Sequence, residues 1–355
     1  MKRKNLYLLS LVFCLITAFV LYGFFKADAQ TTNSQSGTTK VPTPTPKIAP
    51  TIVPSPTPED DNEIITVDTE IVGLNVRVID RNNRPINSLS QNDFQIYEDN
   101  VLQTIDSFTK AEVPTNYTVV VDNSGSLRLQ LEKVIDAGKV IISTNRPDDE
   151  TSIIRFVGSD KIEITQEFTS DKAELFDALD NLFIEGGQTA IIDAVYLAAQ
   201  MTDEYEKTRN SNDKKRRAII LVSDGEDRDS FYNEQQLFEL LRETDVQIYV
   251  IGFIGDLSKE GGFISKSPQA KAKAFLERLA TETGGKAYFP SNVSELNTIA
   301  TDIASELRTQ YLVSYYPSNS KKDGTTRQIK VVVTDGPNKQ KRIAVTRTNR
   351  KAAKE

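Results

Sequence analysis

Two aspartates and three hydroxyl residues, carried on three short polar loops, are the groups of this chain best suited to chemistry. Asp122, Ser124 and Ser126 alternate in "DNSGS", which directly follows the apolar run "YTVVV". Thr189 lies in "GGQTAIIDAV" behind a double glycine, and Asp224 opens "DGEDRDS" after "AIILVS". All five offer hard oxygen donors, a set that selects Mg²⁺, Mn²⁺ or Ca²⁺ over zinc or copper. Two carboxylates and three neutral hydroxyls roughly balance a divalent ion. A compact octahedral shell favours Mg²⁺, with Mn²⁺ or Ca²⁺ as alternatives. Each loop also has an ordinary reading. "DNSGS" can be a turn with Ser126 as a helix N-cap, Thr189 can be a cap, and Asp224 before glycine is a common turn. What separates the two readings is whether the three loops meet.

The surrounding elements decide that. Between about Pro114 and Arg308 the chain alternates buried-type strands, "YTVVV", "SIIRFV", "AIILVS", "QIYVIGF" and "KAYF", with helical stretches. Leu127, Leu131, Val134, Gly138 and Ile141 trace one helix face, and Ile191, Val195, Ala198 and Thr202 trace another. Asn233 with Gln236 has the form of a capping box, Ser267-Pro268 suits an N-cap and N1, and Gly284-Gly285 suits a helix end. "IEITQEF" alternates apolar with polar residues, as an edge strand does. Repeated β-then-α units predict an α/β, doubly wound, mostly parallel sheet with helices on both faces. Ligands of such sheets collect at the carboxyl ends of the strands, where all three loops fall.

Short alternating strands flank this region. "IVGLNVRVID", "DFQIYEDN" and "LQTIDSF" precede it; "QYLVSYYP", "RQIKVVVTD" and "KRIAVTR" follow it. Neither group is comfortable alone, so the two are expected to pair into one small β-sandwich. The expected organisation is a leader or anchor at 1–29, a linker at 30–62, sandwich strands at 63–113 and 309–348, the α/β domain at 114–308 and a tail at 349–355.

The three loops resemble the signature of von Willebrand factor type A domains. "VVVDNSGS" is similar to that family's D-x-S-x-S motif, "GGQTAIIDA" to its threonine loop and "LVSDGED" to its last aspartate loop, over roughly Asn116 to Leu307. The resemblance implies a metal-ion-dependent adhesion site. Ser124, Ser126 and Thr189 would ligate directly or nearly so, and Asp122 and Asp224 directly or through water. Asn123, Asp193 and Asp227 are expected to support these ligands by hydrogen bonds. The flanking segments resemble a bacterial exported subfamily labelled VWFA-related. The implied partner is a protein presenting Asp or Glu to the metal. Gly255, Asp256, Leu257 and Phe263, in the glycine-bearing segment after "QIYVIGF", are candidates to contact it.

Composition narrows the rest. A formal net charge of -7 argues against nucleic acid as the main partner. With no histidine in the chain, Ser-His-Asp and Cys-His nucleophile systems are excluded. Position 124 is serine, so the Asp-x-Asp of haloacid-dehalogenase phosphotransferases is also missing, and a non-enzymatic role is expected. Lys2, Arg3 and Lys4 precede an uncharged apolar run at residues 6–25, followed by Ala27-Asp28-Ala29. That pattern fits either a cleaved export signal or a membrane attachment through residues 6–25. Both place the remainder outside the cytoplasmic membrane, in the envelope or beyond it. Cys14 lies in that run, so the exported part has no disulfide. Half of the fourteen prolines fall in residues 30–62, the composition of an extended spacer. An envelope scaffold whose metal only stabilises the fold is the alternative to an adhesion module.

Overall fold

Among the described residues four strands come first: β1 (Val72–Ile79), β2 (Phe94–Glu98), β3 (Val101–Gln103) and β4 (Ile105–Thr109). Strands and helices then alternate through β5 (Thr115–Asp122), α1 (Leu131–Ser143), β6 (Glu150–Phe156), β7 (Ile162–Thr169), α2 (Lys172–Asp180) and α3 (Ile191–Lys207). The alternation continues with β8 (Arg216–Ser223), α4 (Glu234–Glu243), β9 (Val246–Gly252), α5 (Pro268–Thr283), β10 (Ala287–Tyr288) and α6 (Leu296–Arg308). Four strands close the chain: β11 (Tyr311–Tyr315), β12 (Thr326–Val333), β13 (Ile343–Val345) and β14 (Asn349–Lys351). This computed structural model describes residues 70–110, 113–207, 215–260 and 266–354. The expected leader or anchor (1–29), the linker (30–62) and Phe263 lie outside the described residues. No helix among the described residues is long and apolar enough to cross a membrane.

The central sheet runs β10-β9-β8-β5-β6-β7, parallel throughout except for β7, which lies antiparallel on the edge as its alternating sequence predicts. β5 and β9 are buried along their whole length; apolar residues dominate them (Val119–Val121, Ile248–Ile251), and the polar Asn116, Thr118 and Gln247 are buried with them. Period-two alternation sorts their side chains. Tyr117, Val119 and Val121 pack with α1, α2 and α6 on one face, whereas Val120 packs with α3, α4 and α5 on the other. From β5 the chain winds outward through β6. It then returns to β8 on the opposite side of β5 and winds outward again through β9. The direction of winding therefore reverses between β5 and β8, and that crevice is where doubly wound sheets hold ligands.

Helix ends follow the local sequence. Asn233 and Gln236 form the expected capping box, and Ser267 accepts from the Ala270 N–H with Pro268 just inside the helix. Gly284 takes the left-handed conformation (φ 80°) at the end of α5. Gly285 is a stricter requirement, because a Cβ there would sit 2.0 Å from the Ile248 carbonyl oxygen of β9. Backbone cannot yield as a flexible side chain does. Gly285→Ala is therefore expected to cost the upper part of the roughly 1–3 kcal/mol typical of overpacking, read as a lowered urea midpoint with an unchanged slope.

The flanking strands form the expected β-sandwich. One sheet runs β13-β1-β11-β4 and the other β14-β12-β2-β3, so in each sheet strands from before the α/β region pair with strands from after it. Their inner faces share one core: Leu74, Val76, Ile96, Val313 and Ile329, with Phe94, Phe108 and Tyr311 in ring contact at 5.1–5.5 Å. Two local readings differ from the structure. "LQTIDSF" is not one strand but two, β3 and β4, which enter different sheets. Residues 349–351, expected within a tail, form β14 against β12. There Arg350 is buried and reaches both oxygens of buried Glu98 (2.9 and 3.2 Å), while the Tyr315 hydroxyl donates to the same carboxylate (2.6 Å). A polar "NRK" segment gave no apolar alternation from which a strand could be read.

Candidate metal centre

β5 ends in Asp122 and β8 ends in Ser223, one on each side of the crevice. Asp122 is fully buried. Its Oδ1 accepts the Ser124 N–H (2.9 Å) and its Oδ2 accepts the Ser223 hydroxyl (2.8 Å). The Ser124 and Ser126 hydroxyls lie 2.8 Å apart, so Asp122, Ser124 and Ser126 form one connected oxygen cluster. Asp224, also buried, stands close enough for its charge to act on Asp122. Burial pushes the Asp122 pKa up to about 6, and the Asp224 charge adds to that rise; the hydrogen bonds from Ser124 and Ser223 oppose it. Of the cluster's residues, Ser126 is the exposed one, while Ser124 is buried.

Thr189 reaches this edge by another route. Its carbonyl accepts the N–H groups of Arg228 (2.8 Å) and Asp229 (3.1 Å), which ties the threonine loop to the loop that begins at Asp224. The Ala190 N–H donates to Val157 O (2.9 Å), anchoring the same loop to the end of β6. Gly187 permits this approach, since a Cβ there would lie 2.5 Å from Val157 Cγ1, whereas a Cβ on Gly186 would meet nothing within 4 Å.

The supporting residues brace loops more than they touch the oxygen cluster. Asn123 Nδ2 donates to Phe183 O (2.6 Å), and the Glu185 N–H donates to Asn123 O (2.9 Å), fixing the segment before Thr189 against the "DNSGS" loop. Asp193 accepts the N–H groups of Phe231 (2.7 Å) and Tyr232 (2.9 Å). Asp227 Oδ1 accepts the Ile192 N–H (3.1 Å) at the start of α3 and the Ser230 hydroxyl (2.5 Å). Asp193 and Asp227 thus lock α3 and the Asp224 loop together in both directions. Asp193→Ala would leave two N–H groups without their acceptor. It is expected to lose about 1–3 kcal/mol of stability in urea unfolding, with Asp193→Asn retaining part of it.

Gly255, Asp256 and Leu257 lie just past β9, one strand further along the same edge, with Gly255 and Asp256 exposed. The Leu257 N–H turns back to Ile254 O (3.2 Å), and Gln269 of α5 holds Ile254 O and Ser258 O. Two points of the sequence reading change. Ser126 caps no helix: a short 3-10 turn at Gly125–Leu127 follows Ser124, and α1 starts only at Leu131. Ser223, which also accepts the Gly225 N–H (3.1 Å), was not singled out, although a hydroxyl at the last residue of a buried strand was a legible sign.

The donor chemistry fits a hard divalent cation. Among the described residues no three His, Cys, Asp or Glu side chains gather as a metal cluster. The cradle is instead two carboxylates with neutral hydroxyls, on the side of a sheet where its winding reverses. This chain belongs to the von Willebrand factor type A domain family, whose model matches residues 116–302, more than half of the chain. It is also similar to the Synechocystis sp. protein sll0103, at 34% identity over 115 residues. That match covers 32% of this chain and spans about a quarter of the relative's length (26%). An aerotolerance-related membrane protein of Bacteroides fragilis is 20% identical, with 54% of this chain and 98% of that one covered and a TM-score of 0.41. A von Willebrand factor type A protein of Catenulispora acidiphila is 12% identical over 81% of this chain and 75% of its own, with a TM-score of 0.45. Proximal thread matrix protein 1 of the mussel byssus, with a zinc-occupied MIDAS motif, is 18% identical over 56% and 48%, with a TM-score of 0.43.

Proposed function

We propose that this chain is an exported, metal-dependent protein-binding module. Asp122, Ser124, Ser126, Thr189 and Asp224 hold one divalent cation, Mg²⁺ before Mn²⁺ or Ca²⁺. The observation that carries this reading is the pairing of two buried carboxylates, Asp122 and Asp224, beside hydroxyls that are neutral oxygen donors. Like charges buried together call for a cation, and the donor types present are those of a hard one. When bound, the ion offers a Lewis-acidic position to a carboxylate from outside. The chain's own part is to position the three loops, through Asn123, Asp193 and Asp227, and to leave an approach past exposed Ser126. The partner is a protein presenting Asp or Glu, met in the cell envelope or outside it, and Gly255, Asp256 and Leu257 add contacts beside the site. Residues 114–308 form the binding domain and the strands of 63–113 and 309–348 its platform. Membership of a bacterial exported VWFA-related subfamily belongs to the same proposal, as does the leader or attachment segment at 1–29.

A second reading, a metal that only stabilises an envelope scaffold, is favoured by the raised pKa of Asp122, since a cation relieves a buried charge. One experiment separates the two: capture of envelope proteins by the immobilised chain in Mg²⁺ and in EDTA, beside thermal unfolding in both. The adhesion reading expects Mg²⁺-dependent capture that Asp122→Ala abolishes. A metal-dependent melting temperature with metal-independent capture supports the scaffold instead.

A further inference from the structure

Ser223 is the last residue of β8 and is fully buried. The parallel register sets Val121 of β5 beside Val222 of β8, so Asp122 and Ser223 come next to each other where the strands end. Period-two alternation sends both side chains to the face covered by α3, α4 and α5, since Val120 and Leu221, two positions earlier, pack there. The Ser223 hydroxyl donates to Asp122 Oδ2 (2.8 Å) and accepts the Gly225 N–H (3.1 Å). It thus stands between the carboxylate of one loop and the backbone of the other.

The groups around this hydroxyl are themselves fixed. The Ser223 carbonyl accepts the Phe253 N–H (3.0 Å) just past β9, which holds the strand end from its other side. Gly225 lies in the left-handed region (φ 82°), and a Cβ on it would sit 2.8 Å from Leu276 Cδ1 of α5. A hydroxyl has one proton to give, and with the Gly225 N–H directed at its oxygen that proton goes to Asp122. Both oxygens of Asp122 therefore carry a donor. Oδ1 is held from its own loop by the Ser124 N–H, and Oδ2 from across the crevice by Ser223.

Rigidity at this point bears on which ion fits. The oxygen donors present suit both Mg²⁺ and Ca²⁺, and geometry tells the two apart. Mg²⁺ demands a near-ideal octahedron at short distances, whereas Ca²⁺ accepts a looser shell. Ser124 and Ser126 follow Asp122 in one loop and are linked to it by hydrogen bonds, so a shift of Asp122 disturbs all three. We infer that Ser223 is a positioning residue that sets the metal preference of the centre. By pinning Asp122 across the crevice it keeps the oxygen cradle rigid enough to favour Mg²⁺ over Ca²⁺. This inference rests on the proposed binding of a divalent cation and adds what decides between two ions that the donor types alone admit.

Calorimetric titration of Mg²⁺ and of Ca²⁺ into the full chain, parent and Ser223→Ala, tests it. The substitution removes one buried oxygen and adds no bulk. Mg²⁺ affinity is expected to fall roughly 10–100-fold, the loss typical of a group that orients a ligand, and Ca²⁺ affinity to fall less. The Mg²⁺/Ca²⁺ affinity ratio should then drop about tenfold. Ser223→Thr, which keeps the hydroxyl, should hold the parental ratio. A serine with only a structural role would lower the melting temperature in EDTA and leave the ratio where it was. An unchanged ratio in Ser223→Ala therefore overturns the inference, as does a threonine variant whose ratio falls with that of alanine. If the alanine variant unfolds, Ser223→Cys, with its weak thiol donor, carries the same expectation and the same refutation. A parent chain that prefers Ca²⁺ overturns the inference while divalent binding stands. Uptake of neither ion by the parent fails the proposed function, and the inference with it.

Discussion

Asp122→Asn is expected to make the metal-free protein more stable at pH 7.5 while removing its response to Mg²⁺. The carboxylate is fully buried, and burial raises its pKa from 3.8 to about 6. The folded chain therefore binds this proton more tightly than the unfolded chain. Between about pH 4 and pH 6 the folded form carries more protons, so metal-free stability falls as pH rises through that window. Above pH 6 the full penalty is present, about 3 kcal/mol from the difference between those two values. Asparagine keeps an oxygen for the Ser124 N–H and turns its amide toward Ser223, whose hydroxyl can accept. The variant should gain up to about 3 kcal/mol at pH 7.5 and nothing near pH 4. For the proposed ion it should lose at least the roughly 10–100-fold in affinity that follows loss of a supporting group. Urea unfolding at pH 4 and 7.5, with and without Mg²⁺, measures all of this. A variant less stable than the parent at pH 7.5 without metal would show that the buried charge is not the dominant effect.

Glu306→Ala should give the largest loss of stability. Glu306, on α6, is buried and faces buried Arg77 of β1, so this ion pair joins the last helix of the α/β region to the sandwich. Lys286 adds a second contact at 3.0 Å. Arg216, at the start of β8, donates to Leu307 O and Gln310 O (both 2.9 Å), which fastens the end of α6 from below. The Arg77 and Glu306 charges meet without hydrogen-bond alignment, since Arg77 Nη1 and Glu306 Oε2 have no hydrogen-bond partner. Such a pair adds little over an apolar replacement, yet removing one member strands the other. Glu306→Ala is thus expected to cost about 3–5 kcal/mol, and Arg77→Leu combined with Glu306→Leu to recover most of it. Denaturant midpoints of the single and double variants decide the matter. Equal losses in both would mean that Arg77 is solvated or rehoused rather than stranded.

These two cases show where the sequence was informative. Asp122 sits where an apolar strand stops at a carboxylate, and the sheet order places that stop beside the end of β8; both are local signals with one topological rule behind them. The capping box at Asn233 and the left-handed Gly284 were equally local. Arg77 and Glu306 are far apart in the chain, as are Glu98 and Arg350, and no periodicity links such partners. Ser126 offers a hydroxyl ahead of an apolar pattern, the sequence context of a helix N-cap as well as of a ligand. A 3-10 turn between Ser124 and Leu131 delays the helix and leaves Ser126 exposed.

Asp122 and Asp224 are proposed to bind a divalent cation together with the hydroxyls beside them. Calorimetric titration of Mg²⁺ into the full chain at pH 7.5, beside Asp122→Ala and Asp224→Ala, tests it most directly. The expected result is one ion per chain, removable by EDTA, and no binding by either variant. Absence of binding by Mg²⁺, Mn²⁺ and Ca²⁺ alike, or binding that both variants retain, would contradict it.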